Sequence, residues 1–128
     1  MLIGPSQPEP ACKALVLALT DVVVEAFERP RETVTVRLVR SETDLWAVGG
    51  ELMPAGTAGV MVIMRVLEGA AGDASKKGWA VARATAAVRE TVGTGNLPLH
   101  VLVDPILAQD WGINGITLPT LRLPREAN

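Results

Sequence analysis

Asp44-Leu45-Trp46-Ala47-Val48-Gly49-Gly50-Glu51-Leu52 returns downstream as Asp110-Trp111-Gly112-Ile113-Asn114-Gly115-Ile116-Thr117-Leu118, with the two tryptophans 65 positions apart. The same offset lays Met1-Leu2-Ile3-Gly4 on Val66-Leu67-Glu68-Gly69, Val23 on Val88, and Val34-Thr35-Val36 on Leu99-His100-Val101. A fixed internal period marks a duplicated supersecondary unit. The chain therefore reads as one domain built of two pseudo-repeats, 1–53 and 58–118. The repeat also exposes an asymmetry. Val60 to Arg65 forms a hydrophobic approach to the second unit that has no counterpart in the first, so the N-terminal strand is short by about six residues on that offset.

With 128 residues and 48% hydrophobic content, the chain suits one globular domain. A half of roughly 60 residues is a marginal folder and must pair with its twin. Leftover apolar surface then drives the pair into an oligomer. Twelve basic against fourteen acidic residues, without a basic stripe, give no electrostatic footprint for nucleic acid, and no Tyr with one Phe leaves few stacking platforms. Cys12 is alone, which excludes an intrachain disulfide and suits a reducing cytoplasm; with no His or basic cluster beside it, it reads as a passive residue at a helix start. The longest apolar run, Ala14 to Leu19 and Val22 to Val24, is broken by Thr20 and Asp21 and is too short to span a bilayer. Met1 to Pro5 lacks the basic and apolar regions of a secretory signal, and bulky Leu2 implies that Met1 is retained. One His, one Cys and no clustered carboxylates make no ordinary metal site, and no cofactor is expected.

Met1 to Gly4 reads as a strand remnant, stopped by Pro5, Pro8 and Pro10, which lead into a helix. From Cys12 to Phe27 the residues Leu15, Leu19, Val22, Val23, Ala26 and Phe27 recur at helical spacing. Glu28-Arg29-Pro30 ends that helix, and Thr33 to Val39 alternates as a half-buried strand does. Gly49-Gly50 marks a tight turn; no strand-loop-helix glycine motif surrounds it to make a phosphate cradle. Residues 54–59 are a small, turn-prone linker. Val60 to Leu67 is a nearly continuous apolar strand of the sheet-interior kind. A loop with Gly69, Gly72 and Asp73 opens a second helix, Ser75 to Val92; Gly93, Gly95 and Pro98 close it before the strand Leu99 to Val103. The order β-α-β, linker, β-α-β predicts an α+β fold: two parallel strand pairs joined about a pseudo-twofold into a four-stranded sheet, with both helices on one face. The other face is apolar enough to call for a partner.

In the order and spacing of Lys13 to Phe27, Pro30, Val34-Thr35-Val36-Arg37, Trp46 to Leu52, Leu67-Glu68-Gly69 and Trp111 to Gly115, nearly the whole chain resembles the tautomerase superfamily. The likeness is to its fused, double-length members, related to 4-oxalocrotonate tautomerase, malonate semialdehyde decarboxylase and cis-3-chloroacrylic acid dehalogenase. It implies a homotrimer with a small pocket at each subunit boundary. It also implies catalysis by an amino-terminal proline of lowered pKa. This sequence begins Met1-Leu2, and Pro5 and Pro8 are internal amides without a basic nitrogen. Either the translation start lies about six residues upstream on the repeat offset, or the protein is a proline-less member. The second reading is taken here, because other catalytic positions also differ. The family's first carboxylate-binding arginine, after a Glu-Gly pair, falls on Pro5 and Ala70; its second falls on Thr35 and His100. Threonine cannot reproduce the bidentate grip of an arginine fork. The paired arginines of a decarboxylase or dehalogenase are not evident at Gly69 and Ala71.

His100, in the place of a ligand-binding arginine, either orients a carboxylate and moves a proton or fills a strand position. Arg37, on the same strand face as Thr35, either supplies the missing cation or is an exposed sheet arginine. Arg65, a cation inside an apolar strand, either lines a pocket or pairs with Glu68 or an acid of a neighbouring copy. Trp46 and Trp111 serve as pocket wall or interface anchor, and Trp79 as packing. The implied activity is cofactor-free keto-enol proton transfer on a small 2-oxo or enol acid, weakened or altered by the missing proline. The alternatives are a non-catalytic oligomer binding a small carboxylate and a decarboxylase- or dehalogenase-like relative. No nucleic acid or membrane partner is expected.

Overall fold

The computed structural model describes residues 2–3, 9–40, 47–52, 60–92 and 99–119. In chain order these form strand β1 (Leu2–Ile3), helix α1 (Glu9–Phe27), β2 (Val39–Arg40), a hairpin of β3 (Ala47–Val48) and β4 (Glu51–Leu52), β5 (Val60–Leu67), the single turn α2 (Glu68–Ala71), α3 (Ala74–Thr91), β6 (Leu99–Ile106), and a hairpin of β7 (Gly112–Ile113) and β8 (Ile116–Thr117). The main sheet has the order β2-β1-β5-β6. β1 is parallel to β2, β5 is parallel to β6, and β1 meets β5 antiparallel, so the two parallel pairs join back to back as the repeat predicts.

One apolar layer holds the helices to this sheet. Pro10 sits in the first turn of α1, where its missing N–H costs nothing, and the helix starts at Glu9, ahead of the expected Cys12. Its buried stripe runs Cys12, Leu15, Leu19, Val22, Ala26 and Phe27. Helix α3 contributes Ala80, Ala84, Ala87 and Val88, spaced at i, i+4, i+7 and i+8 along one face. Small residues there let α3 lie close to α1, its main helical neighbour. Beneath both, the alternate residues Val60, Val62, Met64 and Val66 of β5 complete the same cluster. No helix among the described residues is long and apolar enough to cross a membrane.

Local chemistry sets the helix ends. Glu28 takes a left-handed φ of 52° just past α1, and Pro30 follows, a residue that cannot continue a helix. The Arg31 guanidinium then donates to Asp21 Oδ1 at 2.6 Å, tying the turn at 31–33 back to α1. At the start of α3, Asp73 Oδ1 accepts the Lys76 backbone N–H at 2.9 Å. Gly72, at φ 75°, leaves room there for the Lys76 stem, which any β-carbon would strike. Asp73→Ala is expected to lower stability by about 1 kcal/mol, read as a shift in the urea midpoint at unchanged slope. An unchanged midpoint would show that water caps this helix equally well.

Two strands differ in length from expectation, and the reason is pairing. Thr33 to Val39 should be one strand; instead Arg31–Thr33 is a 3₁₀ turn and only Val39–Arg40 enters a ladder. Burial still alternates, with Val34, Val36 and Leu38 half-buried and Thr35 and Arg37 exposed. The ladder is short because β1 offers two residues, Leu2 opposite Val39 and Ile3 opposite Arg40. Conversely, β6 runs on to Ile106 because β5 supplies eight partners. It accommodates Pro105, opposite Val66, as an edge strand can. Residues 68–71, expected as loop, form the turn α2. The linker 54–59 and the punctuation at Gly93, Gly95 and Pro98 lie outside the described residues.

Candidate functional site

The two tryptophan motifs are designed around tight hairpins. Gly49 and Gly50 take φ values of 61° and 84°, and Asn114 and Gly115 take 53° and 85°, the paired positive angles of a two-residue turn whose twist matches its strands. Val48 faces Glu51 in the first hairpin, and Ile113 faces Ile116 in the second. Trp111, half-buried, stands at the neck of the second: its N–H donates to the Ala108 carbonyl at 3.1 Å and its carbonyl accepts from the Leu118 N–H at 2.9 Å. The backbone thus fixes where the indole starts. Trp46 lies outside the described residues.

The remaining candidates sit on or beside the sheet face that the helices leave uncovered. Strand register sets Met61 beside His100, Ile63 beside Leu102, Arg65 beside Asp104 and Leu67 beside Ile106. Because alternate β5 residues point into the core, these four rows share the open face. Ile63 and Leu102 remain 38% and 44% exposed. His100 is exposed near the N-terminal end of β6. Arg65 Nε approaches Asp104 Oδ2 at 3.5 Å. Asp104, not Glu68, is therefore the carboxylate beside Arg65. Reasoning from sequence passes over Asp104, although a signal exists: each residue stands five places after the start of its strand, Val60 or Leu99.

Within one chain these residues do not converge. His100 and Trp111 are separated by the length of β6, roughly 20 Å at the usual rise. Thr35 and Arg37 precede β2, at the opposite edge of the sheet from His100, about 14 Å away by strand spacing alone. Two grooves of a different character lie among the described residues of the helix face. One, of about 520 Å³, is lined by Glu25, Ala26, Asp73, Ser75, Lys76 and Trp79; the other, of about 130 Å³, runs between α1 and α3 past Asp21, Glu25, Arg83 and Glu90. Neither involves a candidate residue. Trp79, expected to pack, is 42% exposed and has the Arg83 guanidinium 6.0 Å from its ring centre. Among the described residues no cluster of three or more His, Cys, Asp or Glu is placed to hold a metal.

No protein-family model and no curated protein matches the sequence. Solved structures do match. Pt0534 inactivated by 2-oxo-3-pentynoate superposes with a TM-score of 0.80 at 19% identity, covering 94% of both chains. A wild-type fused 4-OT described as a symmetric trimer gives 0.73 at 23% identity, over 94% of this chain and 98% of that one. N1, a member of the cis-3-chloroacrylic acid dehalogenase family, gives 0.69 at 17% identity, over 98% and 87%.

Proposed function

We propose that this chain, which has the tautomerase fold in its fused, double-length form, works as a homotrimer in the cytoplasm and catalyses cofactor-free proton transfer on a small 2-oxo or enol acid. The observation that carries this reading is the separation of the candidate residues. His100 and Trp111 stand at opposite ends of β6, so a pocket holding both draws on more than one copy. A trimeric arrangement is described for a fused 4-OT of the same fold. The ligand class is supported by the inactivation of Pt0534 with a 2-oxo acid.

In this reading each pseudo-repeat, 1–53 and 58–118, gives half of a site. The His100 imidazole accepts the enol hydroxyl proton and delivers a proton to the distal carbon. Trp46 and Trp111 form the apolar wall. Arg37 and the Thr35 hydroxyl hold the substrate carboxylate, while Arg65 stands beside Asp104. Turnover is slow, since Ala70 and Thr35 stand where the related enzymes place an arginine fork. That pairing of Arg65 also favours a second reading, a binding protein without turnover. A panel of enol and 2-oxo acids separates the two, followed by ultraviolet absorbance and tryptophan fluorescence. Interconversion above the solvent rate is expected. Fluorescence titration with constant absorbance would establish binding alone, and silence in both signals would sink both readings.

A further inference from the structure

Across β5 and β6, the open face is an aliphatic surface interrupted by one charged row. Ile63 and Leu102 lie on one side of Arg65 and Asp104, and Leu67 and Ile106 on the other. The contact between Arg65 Nε and Asp104 Oδ2 is 3.5 Å, longer than a charge-assisted hydrogen bond, and the side chains remain 60% and 50% exposed. A guanidinium carries five N–H donors and a carboxylate about four acceptor positions, so this single loose contact uses little of what the pair offers. In a lone chain, such a solvated pair adds almost nothing to stability. Its position matters when the face is covered, because water then leaves and each charge must find its partners in protein.

The occupant that suits this face is a second copy of the same face. Each copy brings one cation and one anion on neighbouring strands, so a contact between two such faces brings charges of both signs from each side and keeps the covered layer neutral. A purely aliphatic partner would strip water from both ions and leave each with only the single contact to the other. We propose that Arg65 and Asp104 form the charge-selective layer of the contact between copies, by which the chain admits itself and rejects other apolar sheets. This rests on the homotrimer reading above and adds to it the residues that choose the partner.

Sedimentation velocity across a concentration series tests it, on the wild-type chain, Asp104→Asn, Arg65→Met and the exchanged pair Arg65→Asp/Asp104→Arg. Each single variant leaves one uncompensated charge in the contact and is expected to weaken association roughly 100-fold or more. The exchanged pair is expected to recover most of that loss. Far-UV circular dichroism of each variant separates lost assembly from lost folding, and the exchanged pair tests the idea even where a single variant misfolds. A wild-type trimer whose single variants assemble equally well would overturn this inference and leave the trimer standing. Weakened singles without recovery in the exchanged pair would overturn it too, since shape and not charge would then set the contact. A monomeric wild-type chain would overturn both.

Discussion

Replacing His100 with glutamine is expected to lower kcat/KM for an enol acid by roughly 10²–10⁴-fold, the usual contribution of a positioned general acid-base group. Glutamine keeps the polarity and approximate length of the imidazole, and its amide still donates and accepts hydrogen bonds. It cannot accept a proton from one substrate atom and hand it to another, as an imidazole nitrogen can. The loss should therefore fall on kcat, with KM little changed, because an interaction made only in the transition state has been removed. Binding of a 2-oxo acid that does not turn over, followed by tryptophan fluorescence, should also persist. His100 is exposed on the open sheet face, so the substitution leaves the helix-packed core untouched. Full activity in His100→Gln would return this histidine to the role of a strand residue and leave proton transfer without its assigned group.

Phe27→Ala should be the most damaging single truncation of the core, costing about 3–5 kcal/mol. Phe27 is 1% exposed at the last turn of α1 and belongs to the cluster that joins both helices to β5. Its loss removes the cluster's one ring and leaves a cavity. The segment after it is constrained by the left-handed Glu28, by Pro30 and by the Asp21–Arg31 pair, so it cannot readily collapse into the space. Against a typical total stability of about 5–15 kcal/mol, the variant would sit near its limit. Urea unfolding at fixed protein concentration measures this, concentration being held because association adds to apparent stability. A loss below about 1 kcal/mol would mean that the core relaxes around the cavity.

The fold was largely legible because it is written twice. The 65-residue offset, the helical spacing of Leu15, Leu19 and Val22, and the glycines of both hairpins each have a local physical cause that survives in sequence. What escaped were features that depend on a distant partner. Thr33 to Val39 has the alternation of a strand and keeps it in burial, yet a ladder forms only where another strand lies alongside. Trp79 has the character of a core residue, but helical position turned it toward solvent and Arg83. At the candidate site, residue types pointed to His100 and Arg65, whereas Asp104 was marked only by its matching distance from the strand start, a signal that gains meaning once β5 and β6 are set in register. Charged pairs across neighbouring strands are set by that register, which hydrophobic pattern alone does not fix.

Pro105 carries a consequence for solubility. β6 is the longest edge of the main sheet, and a long apolar edge is a template for open-ended sheet growth. A proline tolerated at an edge has no N–H to offer an incoming strand, and Asp104 beside it adds a charge. The outer row of donors is therefore broken near the end of β6, where a foreign strand would otherwise zip along unhindered. Sequence and position together make this edge resistant to amyloid-like stacking.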